Sequence, residues 1–178
     1  MHFRSYWEIA PPMVPIKREI ILSFLSGAGD VVPQHIIELI NELKNKEKYK
    51  IEQACHVTET SDLTSTDWKL CETFQFRFEQ LSRSTFSLVP IVSTVSSALP
   101  RLVESMMSGS VPVIISYSGK VTLPMNEVID WSKVVMQIPF GRIPELPFFL
   151  STITPDHIFT LRKQGLLYIS FLIVYLFI

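Results

Sequence analysis

The stretch RLVESMMSGSVPVIIS, residues 101–116, places a guanidinium and a carboxylate three residues apart in an amphipathic segment. Its periodicity predicts a helix that carries Arg101 and Glu104 and ends at Gly109. A carboxylate on such a helix can accept hydrogen bonds from both hydroxyl groups of a ribose. In the alternative interpretation, Glu104 faces solvent and pairs with Arg101, which is worth only a few tenths of a kcal/mol.

A second candidate is the stretch SGAGD, residues 26–30, which directly follows an apolar run. Backbone amides in a glycine-containing turn after a strand can contact phosphate groups, which makes Gly27 and Gly29 candidates for such contacts. The third glycine of a dinucleotide-binding fingerprint is absent, and a single G-x-G also occurs in plain turns. The phosphate contact and the plain turn therefore both remain open.

The two cysteines flank a polar loop. Cys55 and Cys71 are compatible with one disulfide in an oxidising compartment, although two buried thiols would give the same pattern. His56 lies beside Cys55, but no second pair of ligands at metal-binding spacing follows, so no metal site is predicted. The sequence also lacks an Asp-x-Asp pair and the glycines of a nucleophile elbow. These features argue against metal-dependent glycosyl transfer by a single lobe and against a serine triad.

Apolar runs alternate with amphipathic segments along the chain, which predicts how these residues are positioned. Strands are predicted at 19–26, 50–57, 85–90, 111–116 and 133–139, and helices at 33–49, 72–84, 96–109, 143–153 and 154–165, with a turn or short helix at 123–131. The expected inward residues are Phe76, Phe78 and Leu81 on one helix and Leu99, Leu102, Val103 and Met106 on another. The alternation predicts an α/β fold with a Rossmann-like parallel sheet and flanking helices.

Composition narrows the possible partners. The 178 residues include 16 basic and 17 acidic side chains, so no basic surface for nucleic acid is expected. Residues 1–19 lack a long apolar core and a cleavage site, so we expect neither a signal peptide nor an anchor there. The uncharged run at 166–178 is 13 residues long, too short to span a bilayer alone. It is interpreted as a chain end foreign to the fold, a buried segment or strand, or a membrane-dipping segment.

Four stretches, in this order and at these intervals, resemble the C-terminal part of the exostosin glycosyltransferase domain: STFSLVP, RLVESMMSGSVPVIIS, LPMNEVIDWSKVVMQIP and LRKQG. The opening IAPPMVPIKREIILSFLSG and the sequence TDWKLC ending at Cys71 are similar to the exostosin-like heparan sulfate N-acetylglucosaminyltransferases. The similarity runs from about residue 9 to about residue 165. It implies an extended lead-in at 1–13, a donor-binding lobe of a two-lobed, GT-B type glycosyltransferase at 14–165, and a hydrophobic tail at 166–178 that does not match the family.

The resemblance also implies roles for residues. Glu104 would face the sugar nucleotide, and Arg101 with Ser96 or Ser97 would lie near the diphosphate, with Gly27 and Gly29 bordering the same cleft. For the two serines, a helix cap is the alternative. The loop after Pro90 reads IVSTVSS, where many exostosin domains carry a glycine. A uridine diphosphate sugar would be the donor substrate, and no cofactor is expected in this lobe.

The implied function is glycosyl transfer in heparan sulfate or other glycosaminoglycan synthesis, in the lumen of the endoplasmic reticulum and Golgi, where a Cys55–Cys71 disulfide would form. The full-length protein would be membrane-associated. Expected partners are the N-terminal lobe and C-terminal transferase domain of a full-length protein, a glycosaminoglycan acceptor, and exostosin relatives in a homo- or heterodimer. The 178 residues alone are predicted to be inactive. The alternatives are a non-catalytic module for assembly or partner binding, and a small protein attached to membranes by its tail.

Overall fold

The computed structural model describes residues 13–25, 34, 38, 41–42, 46–52, 74–91, 98–116 and 121–176. These residues include a parallel five-stranded sheet formed by β1 (Ile20–Leu25), β2 (Tyr49–Glu52), β3 (Ser84–Ile91), β4 (Val111–Ser116) and β5 (Met136–Pro139). The strand order is β2-β1-β3-β4-β5. The Rossmann-like α/β fold predicted from the sequence is confirmed.

Burial on both faces of the sheet explains why the apolar runs form its central strands. Every residue of β3 and β4 is buried, as expected for parallel strands covered on both faces. They pair over six positions, from Phe86 with Val111 to Ile91 with Ser116. On one face, Leu22, Phe24 and Phe86 belong to a core cluster that continues into the helices after β5. The other face is covered by the helix between β3 and β4 and by residues 121–135.

Four α-helices are described in the resolved ranges: α1 (Phe74–Ser82), α2 (Leu99–Met107), α3 (Leu146–Thr152) and α4 (Pro155–Leu176). Residues 34, 38, 41 and 42 are also helical, as predicted for 33–49, but the end of that prediction is wrong, because a 3-10 turn spans Lys46–Lys48 and β2 begins at Tyr49. Further 3-10 turns span Trp131–Lys133 and Phe140–Glu145. The cap predicted at Gly109 is confirmed: its φ is 69°, its N–H bonds to the Met106 carbonyl, and the Ser110 N–H bonds to the Ser105 carbonyl. Glycine suits this site because a left-handed conformation costs other residues about 1–2 kcal/mol.

The buried faces of α1 and α2 differ from the prediction. On α1, Leu81 is buried, but Phe76 and Phe78 are only half-buried, whereas Arg77 and Gln80 are buried. On α2, Leu102 and Met106 are buried as predicted, Leu99 and Val103 are half-buried, and Arg101, Glu104 and Ser105 are buried instead. The reason is that each helix contacts its neighbouring helix as well as the sheet, and the helix-to-helix contact is polar.

A buried arginine joins three elements at the amino edge of the sheet. The Nη1 atom of Arg18 donates to the carbonyls of Leu81, Ser84 and Ser108 at 3.2, 3.2 and 3.0 Å, and its backbone N–H donates to Thr85 Oγ1. Leu81 and Ser108 lie at the C-terminal ends of α1 and α2, where helix carbonyls lack intrahelical partners. Burial, with a smaller contribution from the charge of Arg162, lowers the pKa of Arg18 to about 9.

The C-terminal segment continues a helix. Thr154 caps α4 by accepting the N–H of His157, as the sequence predicts. The helix runs without interruption into the 166–178 segment, and Ile169 is buried in the cluster that contains Leu102. Of residues 166–170, Ile169 is buried and Leu167 is 48% exposed, so the interpretations of this segment as buried, foreign to the fold or membrane-dipping stay open. In the described ranges, no helix has both the length and the apolar character needed to cross a membrane.

Candidate functional site

The strand order reverses between β1 and β3, and in open α/β sheets such a reversal leaves a crevice at the carboxyl edge of the sheet. From β1 the sheet extends to β2 on one side and to β3, β4 and β5 on the other. In open α/β sheets, ligands bind outside the carboxyl ends of the strands at such a reversal. The helices α1 and α2 precede and follow β3, so both present their N-terminal turns to this edge. Helix N-termini favour anions because their free N–H groups carry partial positive charge.

Glu104 forms a buried ion pair with Arg77 of α1. The Nε atom of Arg77 lies 3.0 Å from Oε1 and 3.1 Å from Oε2 of Glu104, and its Nη2 atom lies 2.9 Å from Oε2. The two side chains are 3% and 7% exposed. Nη2 also donates to the carbonyl of Leu25, the last residue of β1, at 3.3 Å. The pair therefore lies at the end of β1, beside the strand-order reversal.

Arg101 lies on the same helix, one turn before Glu104. Its guanidinium is 5.7 Å from the centre of the Phe24 ring, within the range of a cation–π contact. Burial lowers the pKa of Arg101 to about 10, and the charge of Glu104 acts in the opposite direction. Arg101 therefore remains a cation at neutral pH, close to the end of β1.

A chain of hydroxyl groups positions the helix turn that carries Arg101. Ser105 Oγ donates to the Arg101 carbonyl at 2.7 Å, and the hydroxyl of Ser87 on β3 hydrogen-bonds to Ser105 Oγ. Ser87 is the register partner of Ser23 on β1. These small side chains are all buried, so they allow the helix to lie close to the two strands that border the crevice.

The structure brings together part of the predicted set. Arg101 and Glu104 share a helix at the carboxyl edge, but the alternative of a solvent-facing pair between them is wrong, because both are buried and Glu104 bonds to Arg77. The other predicted site residues lie outside the described residues, so their assigned contacts and the disulfide stay predictions. They are Gly27, Gly29, Ser96, Ser97, Cys55 and Cys71.

Sequence reasoning missed Arg77. It lies between two phenylalanines in FQFRFEQLS, and the inward residues predicted for this helix are Phe76, Phe78 and Leu81. One signal was available: in α1, Arg77 and Leu81 are four residues apart and share a helix face, so a buried Leu81 places Arg77 near the buried side. Its partner, 27 residues later in the chain, could not be identified from spacing.

These groups fit a ligand that combines negative charge with hydroxyls. A carboxylate offers about four acceptor positions, and Arg77 leaves part of that capacity for hydroxyl donors. A buried guanidinium and two helix N-termini provide positive potential for a phosphate group. Neither feature requires a metal ion to bind such an anion.

Another cavity, of about 840 Å³, lies outside this crevice along residues 121–137. It is lined by Asn126 and Gln137 and by the carboxylates of Glu127 and Asp130. Two carboxylates make this cavity a poor match for a phosphorylated ligand, so charge favours the crevice at Arg101 and Glu104.

Comparison with known proteins gives a consistent result. The sequence profile of the Exostosin GT47 domain matches residues 2–153. The probable glucuronosyltransferase GUT1 of Oryza sativa subsp. japonica is 33% identical over 93 residues, 52% of this chain and 21% of that protein. The probable beta-1,4-xylosyltransferase IRX10 of Arabidopsis thaliana is 36% identical over 90 residues, 51% of this chain and 20% of that protein. The matched region thus spans about a fifth of these relatives.

Proposed function

The chain belongs to the exostosin GT47 glycosyltransferase domain family, and we propose that it is the lobe that binds the nucleotide-sugar donor. The observation that carries the proposal is the position of Arg101 and Glu104. Both lie on α2, beside the end of β1, where the strand order of the sheet reverses. This is where an open α/β sheet binds a ligand.

Each residue receives a role from its chemistry. Glu104 accepts a hydrogen bond from a ribose hydroxyl, and Arg101 faces the diphosphate. In glycosyl transfer the diphosphate leaves with additional negative charge, and a fixed cation and helix N-termini stabilise that charge without reorganising. The proposal assigns donor binding and leaving-group stabilisation to this chain. It places the base that deprotonates the acceptor in the remaining part of a longer protein, so the 178 residues alone are expected to show no turnover.

The identity of the transferred sugar and of the product goes beyond membership of the family and is part of the proposal. The relatives are named as probable glucuronosyl- and xylosyltransferases, so we propose that the transferred sugar is of this kind. The uridine diphosphate donor depends on the sequence resemblance alone. The heparan sulfate N-acetylglucosaminyltransferase subgroup depends on the sequence resemblance alone, and the comparisons do not support it. A luminal location, a glycosaminoglycan acceptor and pairing with exostosin relatives are proposed on the same basis.

The test is a calorimetric titration of the 178-residue chain with UDP, 2′,3′-dideoxy-UDP and pyrophosphate. If Glu104 binds the ribose hydroxyls, the chain prefers UDP over the dideoxy compound, and Glu104→Gln removes that preference while retaining pyrophosphate binding. Arg101→Gln weakens all three ligands. The matched control is Glu145→Gln, because Glu145 also pairs with an arginine, at 2.6 Å, but on the exposed surface.

Two outcomes would contradict the proposal. Absence of UDP binding at millimolar concentration would exclude a donor site. Equal affinities for UDP and its dideoxy analogue would remove Glu104 from the ribose contact, even if the chain binds diphosphate. A titration series with UDP-glucuronic acid, UDP-xylose and UDP-N-acetylglucosamine then ranks the sugars and tests the finer assignment.

One observation favours a second candidate, a non-catalytic module that supports assembly. Glu104 is 7% exposed and receives three close contacts from Arg77, as a purely structural ion pair would. In that case, Arg77→Met combined with Glu104→Leu should retain the fold and every measurable binding property, because a buried ion pair can be replaced by apolar residues of similar volume. Loss of UDP binding in this folded variant would exclude the structural-only role.

A further inference from the structure

Arg77 contacts two elements that border the proposed donor crevice. It is buried, with 2% of its surface exposed, and it reaches from α1 to Glu104 on α2 and to the carbonyl of Leu25 on β1. We propose that Arg77 is a positioning residue of the donor site: it holds the Glu104 carboxylate in the one orientation in which Oε1 accepts a ribose hydroxyl. This inference rests on the donor-lobe proposal.

The two oxygens of Glu104 are used unequally. Among the described residues, Oε2 receives Nε at 3.1 Å and Nη2 at 2.9 Å, and Oε1 receives Nε at 3.0 Å. Each carboxylate oxygen offers about two acceptor positions. Oε1 therefore retains more acceptor capacity than Oε2 and is the oxygen offered to the ligand. Rotation of the carboxylate would exchange the two oxygens, and the planar contact with Arg77 opposes that rotation.

The contact with Leu25 fixes the pair relative to the crevice. Leu25 ends β1, and the ligand position lies beyond that strand end. One guanidinium thus ties the carboxylate to the backbone that borders the ligand. Preorganisation of this kind increases affinity because the acceptor does not have to be ordered when the ligand binds.

The geometry requires arginine specifically. Nε and Nη2 of Arg77 lie in one rigid plane. Nε donates to both carboxylate oxygens of Glu104, and Nη2 donates to Oε2 of Glu104 and to the carbonyl of Leu25. A lysine keeps the positive charge but presents it as a single point on a flexible chain, so it cannot fix the plane of the carboxylate. Arg77→Lys therefore separates the effect of the positive charge at residue 77 from the effect of the orientation of the Glu104 carboxylate.

The experiment measures UDP affinity and urea unfolding of the 178-residue chain for Arg77→Lys and Arg18→Lys. Arg18 is a matched control, because it is also a buried arginine that bonds to carbonyls, but at the opposite edge of the sheet. Both variants are expected to unfold at lower urea concentration than the unmodified chain. Arg77→Lys should weaken UDP binding about tenfold, equivalent to ~1.4 kcal/mol. Arg18→Lys should leave the UDP affinity within about twofold, because the sites are far apart.

Pyrophosphate binding gives the second measurement. It should be unchanged in Arg77→Lys, because this ligand lacks the hydroxyls that Glu104 accepts. Equal UDP affinity of Arg77→Lys and the unmodified chain would overturn the positioning role and leave the donor-lobe proposal intact. A parallel loss of UDP and pyrophosphate binding would also overturn it, since general damage to the site would then explain the effect. If the unmodified chain binds no UDP, both proposals fail together.

Discussion

Replacing Arg18 by methionine tests what joins α1, α2 and the sheet at the amino edge. The Nη1 atom of Arg18 donates to the carbonyls of Leu81, Ser84 and Ser108, and methionine removes these donors while filling a similar volume. Each buried acceptor left without a donor costs about 1–3 kcal/mol. Three carbonyls at the lower limit give a loss of about 3 kcal/mol in the free energy of unfolding.

A counteracting effect keeps the estimate at that lower limit. Burial lowers the pKa of Arg18 to about 9, which shows that the folded chain disfavours this charge, and the nearby charge of Arg162 adds repulsion. Methionine removes both unfavourable contributions. A net loss of about 3 kcal/mol would still be a large part of the 5–15 kcal/mol typical of folded domains.

The assay is urea unfolding followed by circular dichroism and tryptophan fluorescence. For a slope of about 1–3 kcal/mol per molar urea, the midpoint should fall by about 1–3 M. Arg142→Met is the control, because Arg142 is exposed and bonds to Glu145 on the surface, so its effect should stay within about 0.5 kcal/mol. A midpoint for Arg18→Met equal to that of Arg142→Met would refute the reasoning, since the burial cost would then cancel the three hydrogen bonds.

Three further substitutions test the packing of α2 and α4 in the same unfolding assay. Gly165→Ala should raise the free energy of unfolding by up to about 1 kcal/mol, because a Cβ there meets Met106 and Val134 at 3.4–3.6 Å, an ordinary contact distance; a decrease would contradict this packing. Gly109→Ala should lower the free energy of unfolding by about 1–2 kcal/mol because φ is 69°, and Gly109→Asn should lower it less. Equal losses for the two variants would argue against a left-handed cap. Leu102→Ala, at a fully buried position, should cost about 2–5 kcal/mol, and a loss below 1 kcal/mol would show that the core refills the cavity.

The sheet was accessible from sequence because its signals are local. The run at 111–116 is apolar on both faces, which indicates a central parallel strand, and the stretch at 85–90 was predicted as a strand closed by proline; both form central strands. Gly109 and Thr154 were likewise predictable, because helix caps depend on a few adjacent residues. Parallel pairing was also predictable, because strands alternate with helices, whereas the order β2-β1-β3-β4-β5 comes from the structure.

Partners of buried charges were not accessible in this way. Glu104 and Arg101 have a spacing that suits a surface pair, and local rules alone favour that interpretation. The fold instead places Arg77, from a different helix, against Glu104, and brings Arg101 over Phe24. Burial makes the difference, because a buried carboxylate needs a partner and takes the one that tertiary packing supplies.

The sequence by itself determined the α/β class, the central strands, the helix caps at Gly109 and Thr154, and Glu104 as the candidate carboxylate. Only the tertiary structure decided that Glu104 is buried, that Arg77 pairs with it, and that Arg18 joins α1, α2 and β3 at the amino edge of the sheet. The physical reason is the separation along the chain between the residues that interact. Periodicity and capping are set by residues within about one helical turn, whereas the ion pair joins residues 27 positions apart and Arg18 bonds to a carbonyl 90 positions away. Such contacts form only after the helices have packed on the sheet.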